Sequence, residues 1–324
     1  MAQSEDVQEE NRLSSRWVAM TVASVGVRYF GDTSDTKGDS VYTAQHQELL
    51  GGEFRFDAGA KYTLQTLFAS GAPFTTNWNT TSQGRIYWRQ FYFEAKPAEG
   101  VEFQIGGLGM EPETFTDLIG YSEDGYLTGE KLALHRPGTL FFDTLSVTYG
   151  YLGDLNAPDM NDRFGRLHRV NFRQYLVSKK LGHAEASAAY TDQWGIKTVR
   201  EGVRLHLGEE HVIDSVRAEF YERTNFAASR GFNIGAGKEI TKRFAMDGGY
   251  ASIDQNFGDL NADAFLHGNR IYLAGEFQVT RALRMFAMVN HGVNNNYALP
   301  NRSHVDAGFV YDILKALPKA EEKP

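Results

Sequence analysis

Residues 144–151 read Thr144-Leu145-Ser146-Val147-Thr148-Tyr149-Gly150-Tyr151. Leu145, Val147, Tyr149 and Tyr151 form one set, and Thr144, Ser146, Thr148 and Gly150 the other. Side chains alternate across a β-strand, so this period of two separates an apolar face from a polar one. The pattern recurs along the chain. In 101–106, Val101, Phe103 and Ile105 oppose Glu102, Gln104 and Gly106. In 183–191, Ala184, Ala186, Ala188 and Tyr190 oppose His183, Glu185, Ser187 and Thr191. Near the C-terminus, Val305, Ala307, Phe309, Tyr311 and Ile313 oppose His304, Asp306, Gly308 and Asp312.

The same reading predicts sixteen strands: 17–30, 46–58, 60–71, 84–96, 100–109, 126–135, 140–152, 164–179, 182–193, 197–207, 214–224, 230–240, 243–254, 266–279, 282–292 and 303–314. Most have the length, about ten residues, that a tilted strand needs to cross a bilayer. Short connections such as 57–60, 96–100, 180–182, 241–242 and 280–281 alternate with long ones at 31–45, 72–83, 110–125, 153–163, 255–265 and 293–302. The connections 194–196 and 225–229 are shorter than this rhythm requires. Short periplasmic turns and long external loops mark outer-membrane barrels, and an even strand count places both termini in the periplasm. So high a strand content is out of range for an ordinary soluble domain. A large soluble sandwich or propeller would also alternate, but the chain lacks the repeat of about 40–50 residues that a propeller carries. The expected fold is therefore an all-β antiparallel transmembrane barrel of about 16 strands (roughly 14–18), in which every backbone group finds a partner.

Composition agrees. The 324 residues include 33 glycines against 8 prolines, with 16 Tyr, 22 Phe and 4 Trp, a mixture natural for a barrel with aromatic belts. A net charge of -8 argues against a nucleic-acid partner, which requires a basic face. The absence of cysteine removes disulfides and thiolate metal sites. No apolar run is long enough for a membrane-spanning helix. The opening Met1-Ala2-Gln3-Ser4-Glu5-Asp6 reads as a mature exported terminus behind an added methionine, which implies a removed export signal. Segment 1–16 is expected to be a polar periplasmic arm, 17–314 the barrel and 315–324 a charged tail.

With these features the chain resembles the general porins of Gram-negative bacteria over about 17–314. In that family the loop after the fifth strand folds into the barrel and narrows it. Here that loop, 110–125, carries Glu111, Glu113 and Asp117, then Glu123 and Asp124. An external solvated loop remains a nearly equal reading of the same charges. The last strand resembles the signal read by the barrel-insertion machinery, matching at Asp306, Gly308, Tyr311 and Ile313, although the chain continues to Pro324 where family members end on an aromatic residue. The resemblance also implies a homotrimer, outer-membrane lipid as surroundings and an outer-membrane location.

Residues opposite the lipid-facing set line a barrel's interior. With Val170, Phe172 and Leu176 taken as outward, Arg169, Asn171 and Arg173 point inward. With Val203, Leu205 and Leu207 outward, Arg200, Arg204 and His206 point inward. With Val216, Ala218 and Phe220 outward, Arg217, Glu219 and Arg223 point inward. On the fourth strand Ile86, Trp88 and Tyr92 favour the outside, leaving Arg85, Tyr87 and Arg89 within. Arg89, Arg173 and Arg204 are expected near mid-strand, facing the acidic loop. Opposed walls of this kind select ions and orient polar solutes, and arginine suits the task through its fixed charge and rigid donors. Wall-to-wall salt bridges that merely fill the lumen are the plainer reading.

The expected function is passive diffusion of small hydrophilic solutes or ions, with a preference for anions. Glu53, Glu102, Asp247, Glu276 and Asp306 argue the other way. No cofactor is implied. Asp32 to Ser40 has oxygen ligands at loose calcium-like spacing but lacks the closing glutamate. His291 with Asn294, Asn295 and Asn296 resembles part of an outer-membrane phospholipase site, without a serine in that family's pattern. The nine histidines have no metal-ligand spacing. A plugged barrel acting as scaffold and a barrel enzyme are the alternatives.

Overall fold

The computed structural model describes residues 15–34, 40–71, 86–109, 127–138, 141–153, 169–208, 211–225, 229–254, 268–293 and 302–317. Its strands are β1 (Val18–Ser34), β2 (Ser40–Arg55), β3 (Tyr62–Gly71), β4 (Tyr87–Ala98), β5 (Val101–Leu108), β6 (Leu127–His135), β7 (Thr144–Leu152), β8 (Phe172–Leu181), β9 (Ala184–Gln193), β10 (Ile196–His206), β11 (Ser215–Arg223), β12 (Arg230–Thr241), β13 (Phe244–Ile253), β14 (Gly268–Gln278), β15 (Leu283–Gly292) and β16 (Arg302–Asp312). Each pairs antiparallel with its neighbours in sequence, and β1 pairs with β16 from Ser24↔Asp312 to Ser34↔Arg302, closing the barrel. A one-turn helix, α1 (Ile313–Ala316), follows, with the Asp312 carboxylate accepting from the Lys315 amide at 3.0 Å.

All sixteen predicted strands are present, with shifted ends. β1 and β2 run further than expected, so the connection is 35–39 rather than 31–45; of the calcium-like stretch, 32–34 and Ser40 are strand and 35–39 lie outside the described residues. β8 begins at Phe172 rather than 164, and Arg169 and Val170 precede it, exposed. At one end of the barrel, here the turn end, the connections β4–β5, β8–β9 and β12–β13 are two residues each. The opposite, loop end carries most of the long connections. The exception is Trp194–Gly195, a tight hairpin in which both residues take positive φ, 53° and 83°. Two turn-end connections, 136–143 and 207–214, are longer than their neighbours.

Partners directly opposite each other in a ladder share a face, so the pairing carries one parity around the ring. Tyr29, Leu50, Phe54, Leu132, Tyr149, Val203, Phe220, Ile271 and Phe309 fall on the outer surface and are exposed. Arg28, Gln45, Gln174, Arg200, Asn233, Arg270 and Asn290 fall on the inner face and are buried. The faces assigned to 101–106, 144–151 and 184–191 agree with this parity, as does the last strand as far as Asp312.

On β8 the expectation fails. Phe172 and Leu176 face inward and are buried, whereas Arg173 lies outside in register with Tyr149 and Asp192. The cause is an apolar lumen wall: Phe172 packs with inward Leu108, Leu127 and Leu152, all 0–1% exposed, beside Tyr92. A hydrophobic patch inside the barrel reverses the apolar-outward rule. On β4 the register shifts opposite Leu67/Phe68, so that Trp88 faces out, Tyr87 and Arg89 are buried within, and Tyr92 lies inside rather than outside. A bulge adds one residue and changes parity along a strand, which no alternation count anticipates.

Candidate functional site

The inner face is lined by charged side chains of both signs. In the loop-side half of the barrel, Arg28, Arg89, Arg200, Arg223 and Arg270 point inward from β1, β4, β10, β11 and β14. Asp306 and Glu219 are buried inward carboxylates at the level of Arg200. Asp306 accepts from Arg28 Nη1 at 3.4 Å, while Arg28 Nη2 donates to Gln45 Oε1 at 3.0 Å and the guanidinium sits 4.5 Å from the Phe30 ring centre. Arg270 donates to Asn290 Oδ1. These hydrogen bonds fix the guanidinium planes of Arg28 and Arg270 within the lumen wall.

Toward the turn end both signs mix. On β2, β4 and β5, Glu53 accepts from Arg55 at 2.5 Å and from Gln65 at 2.7 Å. Gln104 donates to both Glu94 and Glu102 at 3.0 Å. Lys96 pairs with Glu94 at 2.6 Å and Lys131 with Glu102 at 3.7 Å. Half-way round the ring a second network spans four strands. Arg217 grips Asp247 through both terminal nitrogens and donates to the Tyr272 hydroxyl at 2.7 Å. Tyr272 donates to Asn233 at 3.1 Å, and Glu219 accepts from Asn233 at 2.9 Å and from Tyr221 at 2.8 Å. Arg204 faces Arg217 in register and stands opposite Glu185 on its other side. Gly235 and Gly249 make the crossing possible: a Cβ on either would lie 2.7–2.8 Å from the Tyr272 hydroxyl.

Of the sequence-nominated residues, Arg89, Arg200, Arg204 and Arg217 lie on the inner face, Arg173 on the outer face and Arg169 outside any strand. Arg200 lies one residue from the middle of β10, Arg89 toward the loop end, and Arg204 and Arg217 toward the turn end. Arg85, Glu111, Glu113 and Asp117 lie outside the described residues. Asp306 and Gly308 face inward and Tyr311 outward, while Ile313 opens α1 rather than continuing the strand. Gly308 is required by close approach, since a Cβ there would lie 2.3 Å from the Val27 carbonyl oxygen.

Sequence reading missed Arg28, Arg270 and the Tyr272 network. Arg28 was recoverable, since it alternates with Val27 and Tyr29 on β1. The network was not, because its partners sit on four strands. Sequence reading also found no serine for His291, yet the ladder brings Ser303 Oγ to 2.8 Å from His291 Nδ1 on the outer face. Asn269 accepts from Ser252 at 2.7 Å. Asn294, Asn295 and Asn296 lie outside the described residues. Among the described residues no group of histidines and carboxylates is placed to hold a metal.

No protein-family model matches the chain, and no curated protein matches it. Solved structures do. A mutant of Rh. blastica porin superposes with a TM-score of 0.59 at 13% identity, covering 90% of this chain and 99% of that one. A chain described under asymmetric conductivity of engineered proteins gives 0.57 at 13%, with the same coverage. Another Rh. blastica porin mutant gives 0.57 at 12%. Sixteen antiparallel strands closed on themselves, aligned over nine-tenths of the chain, make this a porin-type barrel.

Proposed function

We propose that the chain is an outer-membrane porin through which small hydrophilic solutes or ions diffuse passively, with a preference for anions. The observation that carries this reading is the loop-side ring of Arg28, Arg89, Arg200 and Arg270 on the inner face of a closed barrel. Charge rings at the mouth of a pore set which ion enters. Glu53, Glu94, Glu102 and Asp247 are each matched by a nearby base, so they offset the ring less than their number suggests.

We further propose that segment 110–125 narrows the lumen. Leu108 and Leu127, which flank it, belong with Leu152 and Phe172 to an inward-facing apolar cluster shielded from water. An uncovered lumen wall would leave these side chains wet, at an unfavourable ~25 cal/mol per Å². A homo-oligomer is supported by the outer face of β2, where His46 Nδ1 lies 3.0 Å from Glu48 Oε1. Polar pairs on a lipid-facing wall are costly unless another surface covers them.

The test is single-channel current across a planar bilayer under a salt gradient. Stable steps with a reversal potential of anionic sign are expected. A cationic sign would discard the preference. No conductance from folded protein would discard the open pore and favour a plugged scaffold.

A further inference from the structure

The two long turn-end connections are copies of one device. Arg136 N donates to the Asp143 carbonyl and Leu207 N to the Asp214 carbonyl, both at 2.7 Å. Asp143 N donates to Ser178 O and Asp214 N to Gly237 O, both at 2.9 Å. The Asp143 carboxylate accepts from Lys179 Nζ at 2.9 Å and from Lys180 N at 2.7 Å. The Asp214 carboxylate accepts from Lys238 Nζ and from Glu239 N, both at 2.6 Å. The sequence repeats with the geometry: Leu134-His135, Phe141-Phe142-Asp143-Thr144-Leu145 and Leu205-His206, Val212-Ile213-Asp214-Ser215-Val216 align at one constant offset. Each clamp ties its connection to the next hairpin and holds an apolar pair just ahead of the aspartate. Phe141 is 81% exposed and Val212 90%.

The outer wall says where these pairs belong. Around β1–β5 and β13–β16 its turn-side rim carries aromatic rings: Trp17, Phe54, Tyr62, Phe103, Phe277 and Tyr311. Around β6–β12 the outward turn-side positions described are aliphatic, alanine or lysine, as in Leu134, Val177, Ala184, Ala186, Leu205 and Lys238. Phe141 stands in this gap. It lines an open depression of about 520 Å³ on the outer wall, together with Val177, Ala186, Val203 and Phe220. It therefore continues the lipid-facing surface rather than the lumen.

We propose that 141–142 and 212–213 are membrane anchors, held by the twin aspartate–lysine clamps so that their apolar side chains enter the periplasmic leaflet. They replace the missing sector of the aromatic girdle, and the adjacent lysines meet lipid phosphates. The proposal rests on the bilayer-spanning reading of the barrel.

The chain has no cysteine, so single-cysteine labelling is clean. Phe141→Cys and Val212→Cys carry a nitroxide in the full-length protein, refolded into phosphatidylethanolamine–phosphatidylglycerol vesicles. Val203→Cys marks the outer wall and Glu99→Cys a two-residue turn. Collision rates with oxygen and with a water-soluble nickel chelate are compared. The oxygen-to-nickel ratio at 141 and 212 is expected to be several-fold above that at 99 and to approach that at 203. A ratio equal to that at 99 places the pairs in water and overturns the anchor. Exclusion of both reagents means a protein surface covers them and also overturns it. Nickel access at 203 as well would overturn the bilayer reading itself, which separates the two failures. All four positions lie outside the lumen network, and matching circular dichroism verifies each barrel before labelling.

Discussion

Arg217 reaches Asp247 across a strand that puts no side chain in the way. β12 lies between them, and opposite the two residues it presents Gly235 and Gly237. A Cβ on Gly235 would lie 2.8 Å from the Arg217 guanidinium carbon. Gly235→Val is therefore expected to push the guanidinium off its carboxylate. The cost is about 1.5–3 kcal/mol, the range for a hydrogen bond to a charged group. Urea unfolding in detergent reads it, and an unchanged midpoint would show that the pair reforms elsewhere. Asp247→Asn, which keeps the shape and removes the negative charge, is expected to move the reversal potential further toward anions.

The outward placement of Arg173 makes a clean comparison. Arg200→Ala and Arg270→Ala remove charge from the loop-side ring and are expected to shift the reversal potential toward cations. Arg173→Ala touches the outer wall and is expected to leave it unchanged. Equal shifts for all three would mean that the field acts at long range and that the ring has no special place.

Acid tests the clamps. The Lys180 backbone amide, then Lys179, then Gly138, hold the Asp143 carboxyl down at about 2 from the usual 3.8. Asp214 is lowered by Lys238 and the Glu239 amide. A carboxylate whose value falls on folding adds stability that is complete above its unfolded value and disappears as pH drops through the folded one. The clamps should thus hold at neutral pH and weaken between about 3.8 and about 2. Wild type and Asp143→Asn are expected to differ in thermal midpoint at pH 7 and to converge near pH 2. A gap that persists at pH 2 would assign the effect to packing instead.

Glu201 lies at the middle of β10 on the outer wall, in register with Ala188 and Phe220. A carboxylate facing lipid destabilises a barrel, by less than the 2–4 kcal/mol of a lysine or arginine at the midplane. Glu201→Leu is expected to raise stability in vesicles by about 1–2 kcal/mol. The gain should be absent in water-rich detergent. Destabilisation in vesicles would instead show that another polar surface sits against this residue.

Strand number and most faces were legible because a barrel repeats one rule, apolar outward and polar inward, at a period of two. The rule breaks where the lumen itself is apolar. Phe172 and Leu176 look like lipid-facing residues from composition alone, and only their pairing with Gly150 and Ser146 reveals the inner wall. It breaks again at Arg89, where a bulge changes parity between Trp88 and Tyr92. Arg204 and Arg217 could be nominated singly from alternation. Their arrangement could not, since Arg217, Asn233, Asp247 and Tyr272 meet through register, which the sequence does not display. The twin clamps were within reach of a search for long-period similarity, but their partners, Lys179 and Lys238, follow from the ladder alone.

The join between β1 and β16 carries a consequence for how the molecule comes to exist. Arg28 and Asp306 are 278 positions apart in the chain, yet they meet across the final seam. Until the last strand arrives, β1 offers a free edge with unpaired amides and carbonyls, as does whichever strand has most recently been laid down. Such edges recruit any extended peptide nearby, and a contact this distant forms slowly. Assembly of this barrel is thus a race between β16 and every competitor for the same edge, won only when β16 has paired with β1.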